Sequence, residues 1–209
     1  MPLENQWLKA KKRHKLMSVN LTSMSKFLAK VLRHDPDMIG IKLDENGWTD
    51  VDELIRCAGI YQNKQSYDKL THEILEEIIE KDDKGRYEFS VDGWEIRAVQ
   101  GHSVKVDLQL NAIEPPEILY HGTATRFAAS IMNTGLDKRS RHAVHLSSTA
   151  DQARKVGSRH GNPVVLLISA KDMHNDGFEF FQSKNGVWLV DNIPARYIDR
   201  QTKQDDTEA

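Results

Sequence analysis

The chain has 209 residues, of which 39% are hydrophobic and 29% charged, enough for one large domain or two small ones with a real core. Its 29 basic and 31 acidic side chains leave a net charge of −2, which excludes a protein-wide basic field of the kind that gathers polyanions. No apolar run approaches the ~20 residues of a membrane span, no apolar secretory stretch opens the chain, and the single cysteine, Cys57, excludes an internal disulfide, so a cytoplasmic protein is expected.

Residues 1–20 read as a flexible basic leader, in which Lys9, Lys11, Lys12, Arg13 and Lys15 face only Glu4. Such a stretch is either a solvated leader or an RNA-contacting arm. Beyond it, charge is balanced. Residues 1–106 carry 17 basic and 18 acidic side chains, and the rest carry 12 and 13. A polyanion would have to be held by local clusters.

A first lobe is expected over 21–106. Ser23 is a candidate cap for a helix with Met24, Phe27, Leu28, Val31 and Leu32 at helical spacing. Pro36 should stop it, leaving Arg33 and His34 in its last turn, where the helix dipole alone favours cations. Asp50 and Glu53 form a capping-box-like start for a short helix through Leu54 and Ile55, closed near Gly59. Cys57 reads there as a buried structural thiol. A third helix is expected from about Ser66 to Glu80, broken by Asp82-Asp83-Lys84-Gly85. Strands over Arg86–Ser90 and Trp94–Val99 then meet at Asp92-Gly93, a hairpin signal. If Trp94, Ile96 and Ala98 face the core, Arg97 points away from it. Helices followed by such a hairpin resemble a winged-helix module.

Residues 107–117, ending in Pro115-Pro116, read as a linker. A second, α+β lobe is expected over 118–200, with 201–209 as a flexible tail. Its strand candidates are Ile118–His121, Ala143–Ser147, Val164–Ser169, Phe178–Gln182 and Val187–Val190. Helices are expected near Thr125–Thr134, terminated by Gly135, and near Thr149–Ser158.

Neither a P-loop nor a dinucleotide glycine fingerprint occurs. The nine histidines complete no ligand set: His142 and His145 would fall on opposite faces of a strand, with no cysteine or carboxylate beside them. No metal is expected. Three clusters instead combine guanidinium, imidazole and small residues: Leu32-Arg33-His34, Arg97 through Gln100-Gly101-His102-Ser103, and Arg141 through His145-Leu146-Ser147. Guanidinium forks grip phosphate oxygens, and imidazole moves a proton near neutral pH. Tyr120-His121-Gly122-Thr123 adds a strand ending in Gly-Thr, whose backbone groups can pair with a flat amide.

Taken in order, these strings resemble the RNA 2′-phosphotransferase family of KptA type. The resemblance runs from Ser25-Lys26-Phe27-Leu28 and Arg33-His34 through Gly47-Trp48, Ile96 to Ser103, and Tyr120 to Thr123. It continues through Arg141 to Ser147, Arg159-His160-Gly161 and Gly186-Val187-Trp188-Leu189, covering about Ser23 to Ile198. It implies an α+β fold with an N-terminal winged-helix lobe and a C-terminal lobe of the ADP-ribosyltransferase fold. It also implies Arg33, His34, Arg97 and Arg141 as the catalytic set, with NAD as co-substrate. His121, Gly122, Thr123, His145 and Ser147 would line the NAD pocket, Gly122 offering its backbone to the nicotinamide amide. Arg159 would meet the pyrophosphate or serve as a helix-end structural arginine.

The implied reaction has two steps. The 2′-phosphate of RNA displaces nicotinamide from NAD, and the ribose 2″-hydroxyl then attacks phosphorus. RNA leaves with a free 2′-hydroxyl, together with ADP-ribose 1″,2″-cyclic phosphate. Val187 stands where many protein-modifying relatives carry a glutamate, which suits a nucleophile that is already ionised. Ala143 stands where the family leads one to expect histidine, and His142, shifted by one, receives no role. The partner is 2′-phosphorylated RNA, and a monomer is expected. The alternatives are an ADP-ribosyltransferase acting on nucleic-acid terminal phosphates or another acceptor, and a winged-helix nucleic-acid-binding regulator.

Overall fold

The computed structural model describes residues 20–61, 67–139 and 141–200. The leader and the 201–209 tail lie outside the described residues, except for Asn20. The chain divides into two compact units, Met1–Leu108 and Gln109–Ala209. Both mix helix and sheet, so the α+β class holds. Among the described residues, no helix is long and apolar enough to cross a membrane.

Among the described residues, the first element of this unit is α1, Leu21–Arg33, whose apolar stripe of Met24, Phe27, Leu28, Val31 and Leu32 is buried. Burial of each such side chain contributes about 1.5–3 kcal/mol. The cap is Asn20, not Ser23: the Asn20 carboxamide oxygen accepts the Ser23 N–H at 2.9 Å. Both residue types cap well, and the helix begins one turn earlier than Ser23 would have it. Pro36 opens a 3₁₀ turn, Pro36–Met38. Strand β1, Thr49–Asp50, leads into α2, Val51–Ile60, with Asp50 accepting the Glu53 N–H at 2.7 Å. Helix α2 runs through Gly59 and buries Cys57.

Helix α3 is His72–Glu80, capped by Thr71, and therefore starts later than Ser66. Tyr67 and Leu70 are buried from a turn rather than from a helix, and Tyr67 stacks on Phe27 with ring centroids 3.9 Å apart. Strands β2, Tyr87–Phe89, and β3, Glu95–Ala98, complete an antiparallel sheet in the order β1-β3-β2. Ile96 and Ala98 are fully buried, with Arg97 on the other face. Trp94 is not core. It lies in the loop before β3 and is 62% exposed.

The second unit is built on β4, Ile118–Ala124, paired antiparallel over seven residues with β7, Pro163–Ser169. Between them come α4, Thr125–Thr134, ended by Gly135 at φ +83°, then β5, Leu136–Asp137, β6, Val144–Leu146, and α5, Ala150–Gly157, capped by Thr149. Helix α6, Ala170–Asn175, and strands β8, Phe181–Gln182, β9, Trp188–Val190, β10, Asn192–Ile193, and β11, Ile198–Arg200, follow. Two three-stranded sheets result, ordered β11-β7-β4 and β6-β9-β8, together with a β10-β5 pair. Phe178 is not in a strand, because its N–H bonds the Met173 carbonyl and closes the end of α6. Part of the Asp107–Glu117 segment is also tied down: Ile113 N–H donates to the Phe180 carbonyl at 2.8 Å.

Candidate functional site

In the first unit, the end of α1 and the segment after β3 come together for a backbone reason. A helix leaves its last carbonyls without intrahelical donors. The Arg33 carbonyl accepts the N–H groups of Ser103 at 2.8 Å and Val104 at 3.3 Å. That cap sets the Gln100–Ser103 turn beside Arg33 and His34. Arg33 Nη2 donates to the Arg86 carbonyl at 3.2 Å, and its guanidinium lies 5.9 Å from the Tyr87 ring centroid. Gly101 lies beside it at φ +87°, a backbone conformation that favours glycine, and a Cβ there would touch Arg33 Nη1 at 3.4 Å.

His34 is exposed, and its Nδ1 lies 3.0 Å from Ser103 Oγ. The same hydroxyl is 3.5 Å from the Arg33 carbonyl, to which it donates. With the hydroxyl so turned, its oxygen is placed to accept from His34 Nδ1–H. Arg97 is half-buried. It stacks on Trp48, 4.4 Å from the ring centroid, and donates from Nε to Glu88 Oε1 at 2.7 Å and from Nη1 to the Asn46 carbonyl at 3.2 Å. These three partners were not singled out as functional in the sequence. Glu88 carries a usable signal, since a hairpin centred on Asp92-Gly93 sets it opposite Arg97.

In the second unit, His121 Nδ1 lies 3.2 Å from the His145 carbonyl, which fixes Nδ1 as the protonated nitrogen of the neutral ring. Burial lowers the imidazole pKa, and the Arg141 charge lowers it further, against the opposing effect of the His145 hydrogen bond. His121 is therefore neutral at neutral pH. Arg141 is exposed, in the loop between β5 and β6, and its N–H bonds the Lys138 carbonyl at 3.0 Å.

Tyr120 and Ser147 exchange two backbone hydrogen bonds at 2.9 and 2.8 Å, forming an isolated bridge between β4 and the end of β6. Peptide groups alternate along a strand. Gly122, two residues beyond Tyr120, therefore turns its N–H and C=O toward the β6 side, and His145 turns its own toward β4. Gly122 also has a packing role. A Cβ there would lie 1.7 Å from the Ala153 carbonyl oxygen of α5. Thr123 is buried, whereas Arg159 is exposed in the 3₁₀ turn Ser158–His160. Among the described residues, no group of three or more His, Cys, Asp or Glu is arranged to hold a metal.

A family model described as RNA 2′-phosphotransferase, Tpt1/KptA family, matches residues 19–192. A probable RNA 2′-phosphotransferase of Nostoc punctiforme is 51% identical over 180 residues, covering 86% of this chain and 97% of that protein. One of Acaryochloris marina is 48% identical over 182 residues, covering 87% and 98%. One of Pseudomonas fluorescens is 51% identical over 175 residues, covering 83% and 93%.

Proposed function

Since the chain belongs to the RNA 2′-phosphotransferase family, we propose that it removes an internal 2′-phosphate from RNA with NAD as co-substrate. The first unit is read as a winged-helix lobe, with β2 and β3 as its wing, and the second as an ADP-ribosyltransferase-like lobe. The observation that carries the reading is the arrangement at the end of α1. One backbone cap brings Arg33, His34 and Ser103 together, and the Ser103 hydroxyl orients the His34 imidazole through Nδ1.

Arg33 and Arg97 anchor the 2′-phosphate, each through a guanidinium held by a carbonyl and an aromatic ring. His34 protonates the departing RNA 2′-oxygen or assists the ribose hydroxyl. Arg141 meets the charge that builds on phosphoryl oxygens. The residues of the second unit suit NAD. The neutral His121 ring and the peptide groups of Gly122 and His145 offer polar partners to a flat amide without adding charge. Thr123, Ser147 and Arg159 complete the proposed NAD set. NAD supplies an electrophilic ribose carbon bearing a good leaving group. The expected products are RNA with a free 2′-hydroxyl, nicotinamide and ADP-ribose 1″,2″-cyclic phosphate, through an ADP-ribosylated 2′-phospho-RNA intermediate.

The test is incubation with NAD and an internally 2′-phosphorylated oligonucleotide, resolving RNA and nucleotide products. Dephosphorylated RNA together with the cyclic phosphate is expected. A stable ADP-ribosylated RNA as sole product, or no NAD consumption, overturns the reading.

A further inference from the structure

Arg97 is enclosed so that only part of its guanidinium is offered to a ligand. Glu88 is its directly opposed partner across the β2–β3 ladder. Arg97 Nε donates to Glu88 Oε1 at 2.7 Å, and the two side chains are only 18% and 12% exposed. Trp48 covers one face of the guanidinium, and the Asn46 carbonyl takes an Nη1 hydrogen. A guanidinium can grip an oxyanion through Nε and one Nη, or through its two Nη groups. Glu88 occupies Nε, one arm of the first fork. What remains for a ligand is Nη2 and one hydrogen of Nη1.

We propose that Glu88 is a positioning residue for the phosphate, locking Arg97 so that a 2′-phosphate is met by the Nη edge alone and tempering its affinity with a nearby negative charge. This rests on the reading of Arg97 as a phosphate ligand. The carboxylate contributes a repulsion toward any anion on that arginine, and at this burial salt screens it only partly. Glutamine at position 88 separates the two effects. Its carbonyl still accepts from Nε but carries no charge.

The experiment compares Glu88→Gln and Glu88→Ala in the full chain, with a 2′-phosphorylated oligonucleotide at saturating NAD. Glu88→Gln is expected to lower KM for the RNA about three- to tenfold, as removal of a close like charge does. Glu88→Ala is expected to lose about tenfold in kcat through a misdirected guanidinium, which Glu88→Gln largely restores. Equal effects of the two variants, or no effect of either, overturn the proposal. If Glu88→Ala does not fold, an unchanged KM in Glu88→Gln overturns it alone. If the unsubstituted protein does not act on this RNA, the functional reading has failed. The clamp is then read separately from the Arg97 Nε–H resonance, which Glu88→Gln should shift. An unmoved resonance refutes the clamp as well.

Discussion

Gly122 stands so close to Ala153 that a Cβ on it would lie 1.7 Å from the Ala153 carbonyl oxygen. The contact is backbone on backbone, and Gly157 repeats it one turn later, where a Cβ would come within 2.8 Å of the Thr123 carbonyl. Helix α5 therefore rests directly on β4. Gly122→Ala should cost about 3 kcal/mol or more, because neither backbone can yield without moving an element. Chemical denaturation of the full chain checks this, and a loss under about 1 kcal/mol would contradict so close a packing.

Ser103 holds His34 through Nδ1, the ring nitrogen opposite the one proposed to transfer a proton. Both residues are exposed, so Ser103→Ala should barely change the melting temperature. It should lower kcat about tenfold, a fraction of what a general acid contributes, with little change in KM for either substrate. Ser103→Thr keeps the hydroxyl and should recover most of the loss. Equal defects in the two variants would remove the hydroxyl from the argument.

Much of this was readable from residue spacing, and the failures have local causes. The stripe of α1 and the stop at Pro36 follow from periodicity and the proline ring. Arg97 faces away from Ile96 and Ala98, as strand alternation requires. Tyr67 and Leu70 misled because two buried residues three apart mimic a helix while lying in a turn. Trp94 misled because the hairpin loop is longer than a two-residue turn: the Ser90 N–H bonds the Glu95 carbonyl, and pairing resumes only there. The capping of α1 by Ser103 and the seating of α5 on Gly122 are long-range contacts, and no local pattern announces them. The α+β class is evident from the mixture of periods alone.

Arg141→Ala tests the role proposed for the second unit. Losing one guanidinium that stabilises phosphoryl charge should cost about 10²–10³ in rate. If Arg141 serves the second step, a 2′-phospho-ADP-ribosylated RNA should build up in single-turnover reactions. Full turnover in this variant would remove Arg141 from the catalytic set.

The buried imidazole of His121 predicts a pH dependence in the second unit. Its folded pKa lies below the unfolded value of about 6.5. The unfolded chain thus binds the proton first, and stability rises with pH through this window. The contribution is complete above about pH 6.5, declines below it, and levels once the folded ring itself takes a proton. His121→Asn keeps a donor for the His145 carbonyl but does not titrate. Its melting temperature should fall less than that of the unsubstituted protein as the pH drops from about 6.5 to about 5. A raised KM for NAD in the same variant would tie the ring to the proposed pocket.

Asp82 links acid stability to the proposed phosphate grip. Its carboxylate accepts the Arg86 backbone N–H at 2.5 Å and Arg86 Nε at 2.9 Å, and the Arg86 carbonyl in turn accepts Arg33 Nη2. Burial alone would raise the Asp82 pKa, but the hydrogen bonds and charge of Arg86 outweigh it and hold the carboxyl below its usual value. A lowered folded pKa gives stability that is present above the unfolded value of about 3.9 and lost as pH falls through the folded one. Asp82→Asn should therefore flatten the acid limb of the stability profile below about pH 4. At neutral pH it should cost about 1–2 kcal/mol, the lower range for hydrogen bonds to a charged group, since the Arg86 side chain is partly solvated. With the Arg86 carbonyl less firmly held, one of the supports of Arg33 weakens, and KM for 2′-phosphorylated RNA should rise several-fold while KM for NAD stays put. A variant that lost stability but kept both KM values would confine Asp82 to the fold.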